Sequence, residues 1–448
     1  MLNYSLIFFI LILVIVQFRR GYASGVCASV FFLIAAPSAL TINLGIVLPA
    51  FTIHRLVMIT WFIHWLTSRD VSKSLRGIPF LPILLCTGVA AGIAVLFANN
   101  VLVSAKRYLY FLFESLIFFV LLITTLKGRM TVDELIKSVV LALLVVAIIG
   151  IIQRYTGIDL SSYMGERSYY EFETIREQRV GDVTSTYHHR IHFGTGMAIG
   201  MMYLLIPDLY FGKLLRWISF ILVATAWYFS LSRGPWLSFF VSGLIMSAIA
   251  PKVILKKMVV IAFLGLAFFV IRPGTFYTIE SLFRSTGDST TLKGSSYLWR
   301  FQVWGEAIAR TANSDPARLL FGHGGGSHMY EDQGTFQLSS GHTTIMQSWD
   351  SEFAIILFER GFVGFVLLAL LYLQALLKGF KYFLSHEHNE RAMLLALSSI
   401  LIIIFMKTNV AFFSPQLVYL ENVNLAIISA LCIARKADGD LRVTYGQS

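Results

Sequence analysis

Charge is what this sequence has least of. Only 14% of its 448 residues are Asp, Glu, Lys or Arg, against about 25% in ordinary soluble domains. With 56% hydrophobic residues and a mean hydropathy of +0.72, that shortage excludes a soluble globular chain. Cysteine is scarce too. Cys27, Cys86 and Cys432 all lie within apolar runs, as small buried hydrophobes do, which excludes a disulfide framework or a cysteine-based metal site. No internal repeat is visible, which weighs against the inverted-repeat transporter folds. The net charge of +11 would suggest nucleic acid in a soluble domain. Here Lys and Arg collect in short loops between apolar runs, as the cytoplasmic bias of membrane proteins requires, so the implied partner is membrane lipid and not nucleic acid.

What the sequence does have is apolar runs near the ~20 residues that cross a bilayer, from one end to the other. The expected fold is all-α: a polytopic membrane protein with about 12–13 transmembrane helices and a large, partly helical periplasmic loop. The run Leu6–Phe18 has no positive charge before it and Arg19-Arg20 after it, so it reads as a retained span and not as a signal peptide. Transmembrane helices over 1–156 lead to a first polar segment at 157–190. Central spans over 191–272 lead to a second polar segment at 273–349. C-terminal spans over 350–434 end in a polar tail at 435–448. Basic loops at 68–76, 127–137 and 251–257, with Lys378, Lys381 and Arg391, agree with one orientation. That orientation places 157–190, Arg233 and 273–349 on the same, non-cytoplasmic face. The second polar segment, at about 75 residues, is far longer than a usual connection, as functional or disordered segments are. Tyr297–Thr311 within it has helical periodicity.

Ser232-Arg233-Gly234-Pro235-Trp236 sets an arginine at the mouth of an apolar segment. Pro235 suits a first helical turn and Ser232 or Gly234 a cap, so a helix begins there. A cation at a helix N-terminus opposes the macrodipole unless an anion sits between the guanidinium and the free backbone N–H groups. Arg233 is thus either an anion ligand, gripping phosphate through parallel hydrogen bonds, or a snorkelling interfacial arginine, or a partner for Glu280 or Asp182. The same face carries Arg179, Arg190 and Arg300, which would repel one another unless a polyanion or carboxylates join them. Asp350 stands just before a span, where desolvation would lift a carboxyl pKa toward that of a general base; it equally suits a helix cap with Ser351.

Other features carry less. Gly322–Gly326 lacks the Lys-Ser/Thr that completes a nucleotide loop and reads as a flexible turn. His188, His189 and His192 are too bunched for a zinc set, although His189 or His192 could contact an anion. Glu114, Lys407 and Glu421 are intramembrane ionisable residues, functional candidates unless they pair with one another. Glu359-Arg360 reads as a structural pair inside the bundle.

With these residues in place, the chain resembles the O-antigen ligase and polymerase superfamily of bacterial envelope glycan assembly, over most of its length after about residue 140. The resemblance rests on Ser232-Arg233-Gly234-Pro235-Trp236 and on Arg300 opening a Trp-containing amphipathic stretch before Asp315–Gly326. It rests also on a polar residue in H-x10-G spacing with Gly361, and on the stretch from Arg179 to His192. It implies the fold of the lipid-carrier-dependent glycosyltransferases. It implies transfer of a glycan from an undecaprenyl-diphosphate carrier to an acceptor hydroxyl at the outer face of the bacterial inner membrane. Arg179, Arg233 and Arg300, with Arg190 and His192 nearby, would then hold the donor diphosphate and help it leave, with no cofactor and no metal. Ligases place His where this chain has Asp350, which is more like the polymerases of O-antigen or exopolysaccharide. The acceptor would then be another lipid-linked repeat unit, with Asp350 or His342 as base. A ligase acting on a lipid A–core or protein acceptor is the alternative, and a lipid-linked sugar transporter a third reading. A chain-length regulator and a flippase are the protein partners such an enzyme would work with.

Overall fold

The computed structural model describes residues 2–37, 39–42, 51–68, 74–128, 130–158, 183–187, 189–205, 212–271, 280, 292–330, 335–337, 343–345, 349–384, 390–410 and 414–445. The chain is helical almost throughout. In order come α1 (Leu2–Arg20), α2 (Tyr22–Ala35), α3 (Ile53–Thr67), α4 (Leu81–Leu96) and α5 (Val101–Leu126), then α6 (Val132–Thr156), α7 (Arg190–Leu205), α8 (Lys213–Phe229), α9 (Arg233–Ile249) and α10 (Pro251–Ile271). The second polar segment holds α11 (Leu292–Ala312), α12 (Pro316–Phe321) and α13 (Ser327–Tyr330), and α14 (Glu352–Phe383), α15 (Glu390–Asn409) and α16 (Pro415–Tyr445) complete the chain. Among the described residues, strands are confined to two short antiparallel pairs, Thr41–Ile42 with Phe51–Thr52 and Thr335–Gln337 with Thr343–Ile345. The expected all-α polytopic architecture is what the chain adopts.

Among the described residues, α1, α5, α6, α14, α15 and α16 are long and apolar enough to cross a membrane, and α2, α4 and α8 are shorter apolar helices. Their outward faces are greasy: Phe8, Val89, Leu214 and Leu377 are all well exposed. Such a surface is unsustainable in water and natural in lipid, where every backbone polar group is already satisfied within its helix. The core is apolar as well. Leu394–Leu397 of α15 and Leu425–Ile428 of α16 are fully enclosed, so these two helices form the axis around which the others pack. The backbone of α16 stays helical to Tyr445, past the boundary expected at 435.

Two ends of the bundle are distinguished by chemistry. One carries the basic turns: Lys127 Nζ donates to the carbonyls of Ser74 and Arg76, and Lys257 Nζ to that of Leu205. At the other end, Gln416 Nε2 ties the carbonyl of Ala36, after α2, to that of Thr186, before α7. Glu352 N, opening α14, meets the carbonyl of Val410 beyond α15.

α14 departs from the expected single span starting near Phe353. It breaks at Gly361, whose φ of 63° and ψ of −168° lie in a region only glycine occupies freely. The arm before the break folds back, so that the ring of Phe353 lies 6.2 Å from Phe365 and 6.1 Å from Tyr372. The cause is the turn at Gly322–Gly326, which is not a loose connection as its composition suggests. His323 N and Gly324 N donate to the carbonyls of Phe358 and Glu359, satisfying acceptors that the break releases. Gly322, itself at φ 82°, leaves no room for a Cβ, which would lie 2.3 Å from the Glu359 carbonyl carbon. A Cβ on Gly361 would in turn lie 2.5 Å from the Leu320 carbonyl carbon.

Gly361→Ala is therefore expected to lower the thermal unfolding midpoint of the detergent-purified protein, through at least the ~1–3 kcal/mol of a forced backbone region. Gly305→Ala, in an open position of α11, should leave the midpoint unchanged or raised by the ~1 kcal/mol of helix propensity.

Candidate functional site

At the end of the bundle opposite the basic turns, the starts of α7, α9 and α14 converge with α11 on the last turn of α15. The chain leaves α8 through Ser230 and Leu231, the latter at φ 46°. Helix α9 then begins at Arg233 with Ser232 extended at the N-cap, its side chain making no capping bond. The helix start expected at the Ser-Arg-Gly motif is where the structure puts it. Gly194 of α7 packs on this corner; a Cβ there would lie 2.8 Å from Ser230 Oγ and 3.0 Å from Pro235. Gly234 faces Met406 of α15. Close approach at these two glycines brings Arg190, which opens α7, and Arg233, which opens α9, to one corner.

Arg300 joins them from α11. That helix buries Val303, Ala307 and Thr311, and Val303 and Ala307 share an apolar cluster with Trp349, Ala354, Ile355 and Phe358. Trp304 Nε1 reaches the carbonyl of Thr408 at 3.4 Å. The like charges of Arg300 and Arg190 both bear on the Arg233 guanidinium. Three guanidinium groups at one corner make a strongly positive, partly buried site, and Arg233 itself is only partly covered.

Asp350 completes the cluster. Its Oδ2 lies 4.0 Å from Arg300 Nε, beyond hydrogen-bond reach, and Arg300 Nε is buried with no hydrogen bond among the described residues. A gap of that size between a cation and a carboxylate accommodates a bridging oxygen. Capping of α14 falls to Ser351, whose hydroxyl accepts from Ala354 N at 3.3 Å. The Asp350 side chain is 35% exposed, so it is partly withdrawn from solvent, and an arginine stands beside it.

His192 is buried within α7, while His189 sits just before that helix. His189 Nδ1 accepts from Ile191 N at 3.1 Å, which requires an unprotonated nitrogen. Burial first, and then the neighbouring His192 and Arg190, push its pKa down to about 3. His189 therefore stays neutral beside the arginines at physiological pH. Its contribution to holding the start of α7 is lost as pH falls from ordinary histidine values toward 3. Arg179 and His342 lie outside the described residues.

Lys407 and Glu421 pair with one another as the plainer reading has it, whereas Glu114 takes Arg55. Arg55 donates from Nε and Nη2 to Glu114 Oε1 at 3.2 and 3.1 Å, and its guanidinium lies 3.6 Å from the centre of the Tyr110 ring. Glu114 falls in the π-helical segment Leu112–Ile117 of α5. Lys407 Nζ meets Glu421 Oε2 at 2.7 Å, and Tyr372 donates to Glu421 Oε1 at 2.5 Å. Glu359 and Arg360 do not pair as expected. Glu359 instead takes His328 Nδ1 at 2.6 Å and Gly326 N at 2.5 Å, and Arg360 covers the ring of Phe111. Successive residues of a helix point in different directions, so adjacency in sequence misled. A buried carboxylate ahead of a span does demand donors, and that demand was the available signal for His328.

These features define an all-α, polytopic membrane protein with a cationic corner that includes Asp350 at one end of its bundle. Residues 218–369, from within α8 to within α14, match the family model described as O-antigen ligase. The match covers less than half of the 448 residues and includes Arg233, Arg300 and Asp350. It is narrower than the resemblance read from the sequence and does not reach Arg179, Arg190 or His192. No curated protein matches the chain.

The Lys407–Glu421 pair gives a test of how this end is held. Lys407→Met leaves Glu421 buried without its cation and should destabilise the protein by about 3–5 kcal/mol. Adding Glu421→Leu should recover most of that loss, read as thermal unfolding of both variants in detergent.

Proposed function

We propose that this chain polymerises undecaprenyl-diphosphate-linked oligosaccharide repeat units at the outer face of the bacterial inner membrane. The observation that carries the proposal is the meeting of Arg233, Arg300 and Arg190 with Asp350 at the end of the bundle, inside and beside the matched region. Basic turns at the opposite end support the orientation, since Lys and Arg collect on the cytoplasmic side.

In this reading the arginines grip the donor diphosphate, which neutralises charges that otherwise repel. Arg179, from the first polar segment, and His192 belong to the same donor site. The acceptor hydroxyl oxygen forms the new bond to the anomeric carbon of the donor glycan. The bond from that carbon to the diphosphate oxygen breaks, and its electron pair departs with the lipid diphosphate. The hydroxyl proton passes to the Asp350 carboxylate, with His342 the second candidate base. Arg300, between carboxylate and diphosphate, stabilises the charge that develops on the leaving group. Fixed guanidinium groups do this as preorganised electrostatics, so the reaction proceeds without a metal or cofactor.

The description of the matched family favours a second reading, a ligase that moves finished glycan to lipid A–core or to a protein. A strain lacking the gene separates the two. Single repeat units on the carrier with no polymer are expected; long carrier-linked chains that never reach an acceptor would make the protein a ligase. Arg233→Ala and Asp350→Asn, each present in the membrane at normal levels, should cut polymer formation by roughly 10²–10³-fold, the usual cost of one preorganised electrostatic group. Wild-type turnover from either would remove that residue from the mechanism. Turnover should also persist in excess EDTA, and its loss would transfer the charge stabilisation to a cation.

A further inference from the structure

The helix that supplies Arg300 has one face that its position outside the expected spans does not explain. Along α11 (Leu292–Ala312) the residues Val303, Ala307 and Thr311 face the protein, and Arg300 falls on that side at helical spacing. The opposite face exposes Phe301, Gln302, Gly305, Ile308, Ala309 and Ala312, with Phe301 63% and Ile308 54% exposed. Among the described side chains, none on that face is charged. The charges of the middle of the helix, Glu306 and Arg310, are paired with each other and sit at its flank. A helix standing in water shows the reverse pattern, with its exposed face the charged one.

The surroundings say what covers this face. Trp304 lies edge-on to Phe365 of α14, ring centres 6.3 Å apart, about one turn beyond the break at Gly361 by helical rise. It also bonds to the carbonyl of Thr408 in the last turn of α15. So α11 lies level with the ends of two membrane-crossing helices and not above them. Phe362 of α14, three residues from the Trp304 contact, is 55% exposed, and the apolar outer face of α14 continues through Leu370, Leu373 and Leu377. The uncharged face of α11 is thus continuous with a surface that faces lipid.

We infer that α11 lies in the membrane interface, with Phe301 and Ile308 set into bilayer acyl chains and Trp304 at headgroup depth. Its length and one-sided apolar face suit an interfacial helix, and tryptophan favours that depth. The part of 273–349 that holds the site is then seated in the membrane surface. The inference deepens the proposed function in one respect: a diphosphate carried on a lipid sits at headgroup depth, where the inward side of α11 holds Arg300.

The test is collision accessibility of a spin label on the full chain in phosphatidylethanolamine–phosphatidylglycerol vesicles, with Cys27, Cys86 and Cys432 replaced. Labels are placed singly through Phe301→Cys and Ile308→Cys. At both, oxygen dissolved in the lipid should relax the label several-fold more than a water-soluble nickel chelate does. The chelate prevailing at either position would overturn the inference. Shielding from both reagents, whether by a protein partner or by the tail of the lipid carrier, would overturn it as well. The measurement needs no turnover, so it reads the depth of α11 even if the proposed function fails.

Discussion

A buried meeting of two backbones, the turn at Gly322 and the break in α14 at Gly361, is the contact on which the site depends. Either glycine given a Cβ would press it onto the other segment's main chain at 2.3–2.5 Å. A break in a membrane helix leaves carbonyls without their intrahelical partners, and each costs several kcal/mol in hydrocarbon unless something donates to it. The turn supplies those donors through His323 N and Gly324 N. With the break satisfied, the arm from Glu352 to Arg360 can fold back. Asp350 then comes down beside Arg300 and against the end of α15, where Ser351 and Glu352 N meet the carbonyls of Lys407 and Val410. That arm and its cap, Ser351, make up the ten residues between Asp350 and Gly361.

The second organising force is charge. Arg190, Arg233 and Arg300 arrive from three helices, and each would sit more comfortably apart from the others. They are held together by packing that has nothing to do with charge: small residues at Gly194 and Gly234, and the apolar cluster around Val303 and Trp349. Ion pairs deeper in the bundle behave differently. Arg55 with Glu114 and Lys407 with Glu421 are close and hydrogen-bonded, as buried charges must be when no water can reach them. The contrast separates charges that are paired within the bundle from like charges gathered at one corner. His189, kept neutral, adds no further positive charge there.

Much of this was legible in the chain. Apolar runs gave the helices, and the Ser-Arg-Gly-Pro-Trp motif gave the start of α9, because local propensities and the bilayer both act within a segment. Misreadings came where a distant segment decided. Glu359 beside Arg360 looked like a pair, but its partners came from Gly326 and His328, over 30 residues away in sequence. Asp350 with Ser351 looked ready to cap a helix, and folding gave the cap to Ser351 and an arginine to Asp350. The glycine run looked loose because its composition says nothing of what it docks against.

The sequence by itself determined that this is a helical membrane protein, and which arginines and carboxylate are candidates for chemistry. Hydropathy, helix-start residues and the placement of Lys and Arg are local properties, written wherever they act. Tertiary structure alone decided that Arg190, Arg233, Arg300 and Asp350 share a corner, that the helix beginning at Glu352 breaks at Gly361, and that α11 lies level with the ends of its neighbours. Those outcomes depend on which surfaces approach to within a few ångströms, and a linear pattern does not carry that distance.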